Sequence, residues 1–182
     1  AGASLSFSPK RSAKTPEEPL EPGRHVLKCP ARGEDLTAFP GVNDPVDFTR
    51  FPMGTRHEEF VTLVEADLSR PGWTAVVRDA EDDIVVILKD PAVLPVTMLW
   101  VSNGGRDYRP WNGNHFNVLG IEDGCAAGAS GHAGALIDNP VRREGVFQRT
   151  HHRLLPDQIS KGGRAIFEGE NLIGRVCHGS DR

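Results

Sequence analysis

At 182 residues, 38% hydrophobic and 25% charged, the chain has the length of one domain with room for a core, and its apolar content is low for a compact globule. A formal net charge of -4, with basic residues scattered rather than striped, excludes the electrostatic footprint of a nucleic-acid binder. No apolar run approaches membrane-spanning length and the opening AGASLSFSPKRSAK has no long apolar core, so a soluble, cytoplasmic protein without a membrane partner is expected.

Taken along the chain, the apolar periodicity is that of strands. Leu5 to Ser8 is the first candidate. Pro9 to Pro22, with Pro9, Pro16, Pro19 and Pro22 set among charges, is expected to be an irregular, extended crossing loop. A candidate at His25 to Lys28 follows. Glu59 to Ala66, Gly72 to Arg78, Asp83 to Lys89 and Val96 to Ser102 are β-branched or aromatic runs separated by Pro, Gly and Asp clusters, which reads as consecutive antiparallel strands. Asn117 to Ile121 precedes a Gly/Ala loop from Gly124 to Gly134, and His152 to Leu155, Arg164 to Glu168 and Leu172 to Val176 complete the set. No window carries a long amphipathic helical repeat. The predicted fold is an all-β antiparallel sandwich forming a single domain over residues 1–182, or the C-terminal part of one.

The segment from Met98 to Glu122 (MLWVSNGGRDYRPWNGNHFNVLGIE) concentrates flat rings and planar hydrogen-bonding groups between two apolar runs. A pyranose offers a face of C–H bonds that stacks on an aromatic ring, and a rim of hydroxyls that seeks paired donors and acceptors. Trp100, Tyr108 and Trp111 have the first chemistry; Asn103, Arg106, Asn112, Asn114 and His115 have the second. The competing reading is a Gly/Asn-rich polar loop whose aromatics plug the end of a core.

Other templates are set aside. GxSxG, GxxxxGK[ST] and HExxH are absent. Cys29, Cys125 and Cys177 are widely spaced, form no CxxC pair and read as reduced, partly buried thiols. A cupin-like metal site would draw on His57, Glu58 and His115, but no His-X-His occurs and adjacent His151 and His152 would face opposite sides of a strand. No cofactor and no metal are expected.

The order of segments resembles the C-terminal portion of the aldose 1-epimerase (galactose mutarotase-like) family, especially its divergent bacterial branch. The matching segments are Leu5 to Ser8, PLEPGRH at Pro19 to His25, Asp47 and Phe48, HEEF at His57 to Phe60, the strands from Trp73 to Trp100, FNVLGIE at Phe116 to Glu122, and LPDQISKG at Leu155 to Gly162. The resemblance spans nearly the whole chain and rests on shared order rather than on any one motif.

The resemblance implies a β-sandwich of the supersandwich type that binds a hexose-like sugar on a concave sheet. It also implies anomer interconversion by ring opening, with a glutamate as base and a histidine as acid. Glu122 falls at the glutamate position, where Leu119 and Ile121 are expected to desolvate it; otherwise it is a surface glutamate beside Asp123. His57, or failing that His115, is the expected acid facing Glu122. Glu58, Trp100, Asn103, Arg106, Trp111, Asn114 and His115 are the expected sugar contacts. Family members are roughly twice this length and carry their histidine pair in an N-terminal half without a counterpart here. A C-terminal piece that associates as a homodimer or with an N-terminal fragment is therefore expected. Two functions follow: a mutarotase-like isomerase, or a non-catalytic carbohydrate-binding module of the same fold.

Overall fold

The structure, a computed structural model, describes residues 2–78, 80–126, 128 and 134, together with the backbone of 164–168 and 171–176. Its strands are β1 (Ala3–Phe7), β2 (Lys10–Lys14), β3 (Arg32–Gly33), β4 (Arg50–Phe51), β5 (His57–Glu65), β6 (Gly72–Arg78), β7 (Asp83–Lys89), β8 (Val96–Asn103), β9 (Val118–Gly124), β10 (Arg164–Glu168) and β11 (Asn171–Val176). They form a four-stranded sheet in the order β4-β1-β6-β7, a five-stranded sheet in the order β3-β2-β5-β8-β9, and a separate β10-β11 hairpin. All these strand pairs are antiparallel. The two larger sheets pack together as a β-sandwich. No helix among the described residues is long and apolar enough to cross a membrane.

Alternation along each strand builds the core. Leu5 and Val76 from the four-stranded sheet meet Ala13, Val61, Leu63 and Leu99 from the five-stranded one, with Leu119 and Ile121 packed beside them. The segment between β2 and β5 contributes Leu27, Phe39 and Phe48, and the last two rings meet edge to face at 5.4 Å. Single bridges between Leu27 and Gly41 and between Phe39 and Val46 hold that segment in place. Thr15 ties its ends, its hydroxyl donating to the Lys28 carbonyl at 2.7 Å and accepting from the Ala31 N–H at 2.8 Å.

Four differences from the sequence expectations have physical causes. Residues 10–14, expected inside an irregular crossing loop, form β2, because Pro9 precedes the strand and Pro16 follows it, so neither removes a ladder donor. His25 to Lys28 forms no strand; only Leu27 bridges, to Gly41. The strand expected from Glu59 begins at His57, where register with Asn103 is already set. Strands consecutive in the chain also split between sheets: β6 and β7 pair with each other, while β5 pairs with β2 and β8. His152 to Leu155 lies outside the described residues.

A buried ionic network spans the two sheets. Glu65 on β5 accepts from Lys10 and, at 2.8 Å, from the Ser8 hydroxyl. Lys89 on β7 sits 3.0 Å from both Glu65 and Asp123 and donates to Thr97 at 2.7 Å. Thr97 in turn donates to Asp123 at 2.7 Å. Two cations and two carboxylates thus balance one another out of contact with water.

Candidate functional site

Consecutive residues at the start of β5 serve opposite faces of the five-stranded sheet. His57 and Glu59 point inward. The Glu59 carboxylate accepts from the backbone N–H of Val26 at 2.6 Å and of Leu27 at 3.3 Å, and lies 3.1 Å from His57 Nδ1. This pair fastens the 24–27 segment to the sheet. Asn103, paired with His57 across the ladder, is also buried: its amide donates to the Gly54 carbonyl, and its oxygen accepts from the Asn117 N–H at 3.1 Å. His57 and Asn103 are thus framework residues joining loops to strands.

Glu58 points to the outer face, where it meets Ser102 across the ladder, with Phe60 opposite Trp100 one step further. Residues 104–117 fold back over this face. At Gly104, with φ at +75°, a β-carbon would sit 2.2 Å from the Phe116 ring, and one at Gly105 would sit 2.7 Å from Glu58 Cγ. The bare backbone therefore passes directly over Glu58, and the Gly105 N–H donates to its Oε1 at 3.2 Å.

The returning segment lays Arg106, Trp111 and His115 against Trp100. The Trp100 and Trp111 rings meet edge to face at 6.4 Å, and the His115 ring lies 5.4 Å from Trp100 and 5.2 Å from Trp111. The Arg106 guanidinium stands 5.5 Å from the Trp100 centroid and 5.0 Å from that of Trp111. Its Nε donates to Glu21 at 3.0 Å and lies 3.8 Å from Glu58 Oε2. Tyr108 donates to the same Glu21 oxygen at 2.6 Å, and this bond to a carboxylate raises its phenol above the ordinary value. Arg24 and Arg56 both reach Asp107 at the surface, at 3.0 and 3.2 Å.

A chain of hydrogen bonds lies beneath the rings. Ser102 donates to Glu58 Oε1 at 2.8 Å, and His115 Nδ1 lies 2.8 Å from Ser102 Oγ. Glu58 and Ser102 are buried, whereas His115 is half-exposed. Two buried polar atoms on this face have no hydrogen-bond partner among the described residues, Trp100 Nε1 and Glu58 Oε2.

Glu58, Trp100, Arg106, Trp111 and His115 are therefore brought together, while Asn114 is exposed at the rim, its N–H donating to the Trp111 carbonyl at 2.9 Å. The expected pairing of His57 with Glu122 does not form. Glu122 sits opposite Met98 and His57 opposite Asn103, which separates them by five positions on β8, roughly 17 Å at ~3.4 Å per residue, and puts them on opposite faces. Nor is Glu122 desolvated: Leu119 and Ile121 turn into the core, and by the same alternation Glu122 turns out and is exposed. It shares the outer face with Trp100 through Gly120, as does His115. A metal set of His57, Glu58 and His115 is likewise split between faces, and no group of metal-ligating side chains occurs among the described residues. Neither Cys29, which is half-buried, nor Cys125, which is exposed, is in a disulfide; burial raises the Cys29 thiol above its ordinary value.

Sequence reasoning missed Ser102 and Glu21. Ser102 was within reach, since two residues after Trp100 in a strand means the same face. Glu21, more than eighty positions from Arg106 and Tyr108, carries no local signal. Comparison with protein-family models, with curated proteins and with solved structures finds no match.

Proposed function

We propose that the outer face of the five-stranded sheet, beneath residues 104–117, binds a neutral cyclic sugar, making the protein a carbohydrate-binding β-sandwich of galactose mutarotase-like character. The observation that carries this reading is the gathering of Trp100, Trp111 and His115 on one sheet face beside two buried polar atoms without a hydrogen-bond partner among the described residues, the donor Trp100 Nε1 and the acceptor Glu58 Oε2, the latter 3.8 Å from Arg106 Nε. A hydroxyl is both donor and acceptor and answers both atoms, while the rings offer stacking to C–H bonds. Glu58 and Glu122 add negative charge to this face and Glu21 already engages the Arg106 guanidinium, which disfavours uronic acids and sugar phosphates. Because the two unpaired atoms are covered, engagement includes a shift of the 104–117 segment.

Titration of a panel of neutral hexoses and short oligosaccharides by calorimetry tests the reading. At least one should bind, and Trp111→Ala should weaken it about tenfold, ~1.4 kcal/mol. Equal binding by the variant, or binding of none, sinks the proposal. A second reading is an aldose 1-epimerase-like isomerase, favoured by Glu122 and His115 flanking Trp100 on the same face. The proposal includes association, as a homodimer or with a chain supplying further strands; a strictly monomeric species in concentrated sedimentation runs counts against it.

A further inference from the structure

We propose that residues 104–117 form a self-inhibiting lid, in which Arg106 takes a ligand's place against Trp100 and Trp111 and ion pairs latch it shut, so that rising ionic strength opens the face to an uncharged sugar. This rests on the sugar-binding reading above and adds its regulation. The Arg106 guanidinium lies over both indoles, 5.5 Å from the Trp100 centroid and 5.0 Å from that of Trp111, on rings that the C–H face of a sugar would stack against. Its Nε stands 3.8 Å from Glu58 Oε2, too far for a hydrogen bond, and that oxygen has no hydrogen-bond partner among the described residues. Arg106 therefore covers the face without satisfying it, and a hydroxyl that reaches Oε2 makes the bond that Arg106 does not.

The lid is closed on itself. The Gly104 N–H donates to the His115 carbonyl and the Gly113 N–H to the Arg106 carbonyl, both at 2.7 Å, and the Asn112 N–H donates to the Tyr108 carbonyl at 2.8 Å. These bonds lie within the segment, so they survive its displacement as one piece. The turn it fastens to belongs to the framework. There the Arg24 N–H donates to the Glu21 carbonyl at 2.9 Å, and the Arg24 carbonyl accepts from the Glu58 N–H at 2.8 Å, which ties the turn to β5. Lid and turn carry complementary charge: adjacent Arg106 and Asp107 meet Glu21 and Arg24 at 3.0 Å each, and Arg56 adds a second cation 3.2 Å from Asp107.

An uncharged ligand has no charge of its own to screen, so its affinity follows salt through the protein ion pairs that binding breaks. The side chains of Asp107, Arg24 and Arg56 are half-exposed, within reach of that screening. A looser latch raises the fraction of open molecules, and apparent affinity rises with that fraction. The sign is the reverse of that for a site whose charges hold a charged ligand.

The test combines two measurements on the full chain. Calorimetric titration with D-glucose, D-galactose and D-mannose, in sodium chloride from about 0.01 M to about 1 M, should show affinity rising about threefold as the screening length shortens from about 30 Å to about 3 Å. Asp107→Asn should bind at low salt as wild type does at high salt, and Arg106→Gln should bind more tightly than wild type. Without ligand, the Gly105 amide hydrogen, which is donated to Glu58 Oε1 beneath the lid, should exchange about threefold faster in Asp107→Asn, measured against the amides of β8. Affinity that is flat or falls with salt, no tighter binding by Arg106→Gln, or Gly105 exchange unchanged in Asp107→Asn overturns the inference. If none of the sugars binds, the binding reading fails, and faster Gly105 exchange in Asp107→Asn still supports the latch.

Discussion

At the scale of single residues, the most demanding position is Glu65. Its carboxylate is contacted by both Lys10 and Lys89, while Asp123 pairs with Lys89 among the described cations. Glu65→Gln leaves buried ammonium charge without its counter-charge and should cost about 3–5 kcal/mol, read as a lowered urea midpoint at unchanged slope. Lys10 adds a pH signature. Burial is the largest influence on its ammonium and lowers it below the ordinary value of 10.5, against the opposing hydrogen bond and charge of Glu65. The folded chain therefore holds this proton less tightly than the unfolded chain. The resulting penalty is full below the folded pKa and is relieved as pH rises from there towards 10.5. The stability of wild type relative to Lys10→Met should thus increase through the alkaline range; a difference that is flat or falls refutes this account.

Among elements, the 104–117 segment decides how the site works. It hangs from two glycines and is held from outside by Glu21, which accepts from both Arg106 and Tyr108. Such partly exposed contacts contribute about 0.2–1 kcal/mol. If ligand entry includes a shift of this segment, Glu21→Ala should raise the sugar association rate up to about fivefold by stopped-flow while the fold is retained. An unchanged or slower rate would mean the face is reached without that shift. The elements themselves were unevenly legible. β6 and β7 match their sequence ranges because apolar runs are bounded by Pro71–Gly72 and by the acidic turn before Asp83. β2 was hidden by the prolines on either side of it. The site was legible as composition around Trp100 but not as geometry. Which of His57, Glu58 and Glu59 faces outward beneath the 104–117 segment depends on a register that pairing with β8 sets, and a one-residue choice moves each across the sheet.

For the whole molecule, the long irregular stretch between β2 and β5 is part of the core. Phe39 is fully buried and meets Phe48 edge to face, closing the space between sheets that short strands leave open. Phe39→Ala should cost about 3–5 kcal/mol, a large share of the 5–15 kcal/mol that typically holds a domain together. Thermal unfolding should then show one cooperative transition at a lower temperature. A separate early transition would mean instead that the stretch unfolds independently of the sandwich. Glu59 makes the same point from the polar side: it takes the backbone donors of Val26 and Leu27, so β5 and the stretch that leads into it share a single set of contacts.

The clustering of rings also gives the molecule an optical property. Of its three tryptophans, Trp73 lies on the four-stranded sheet, while Trp100 and Trp111 both lie within 5.4 Å of the His115 ring centre. Indole emission reports on what lies against the ring, so a sugar seated on this face should change the emission of Trp100 and Trp111 and leave that of Trp73 as it was. The change should shrink in Trp111→Ala, and emission that is the same with and without sugar counts against this face as the binding surface. The chain would carry its own indicator for the occupancy of one sheet face, with no label attached.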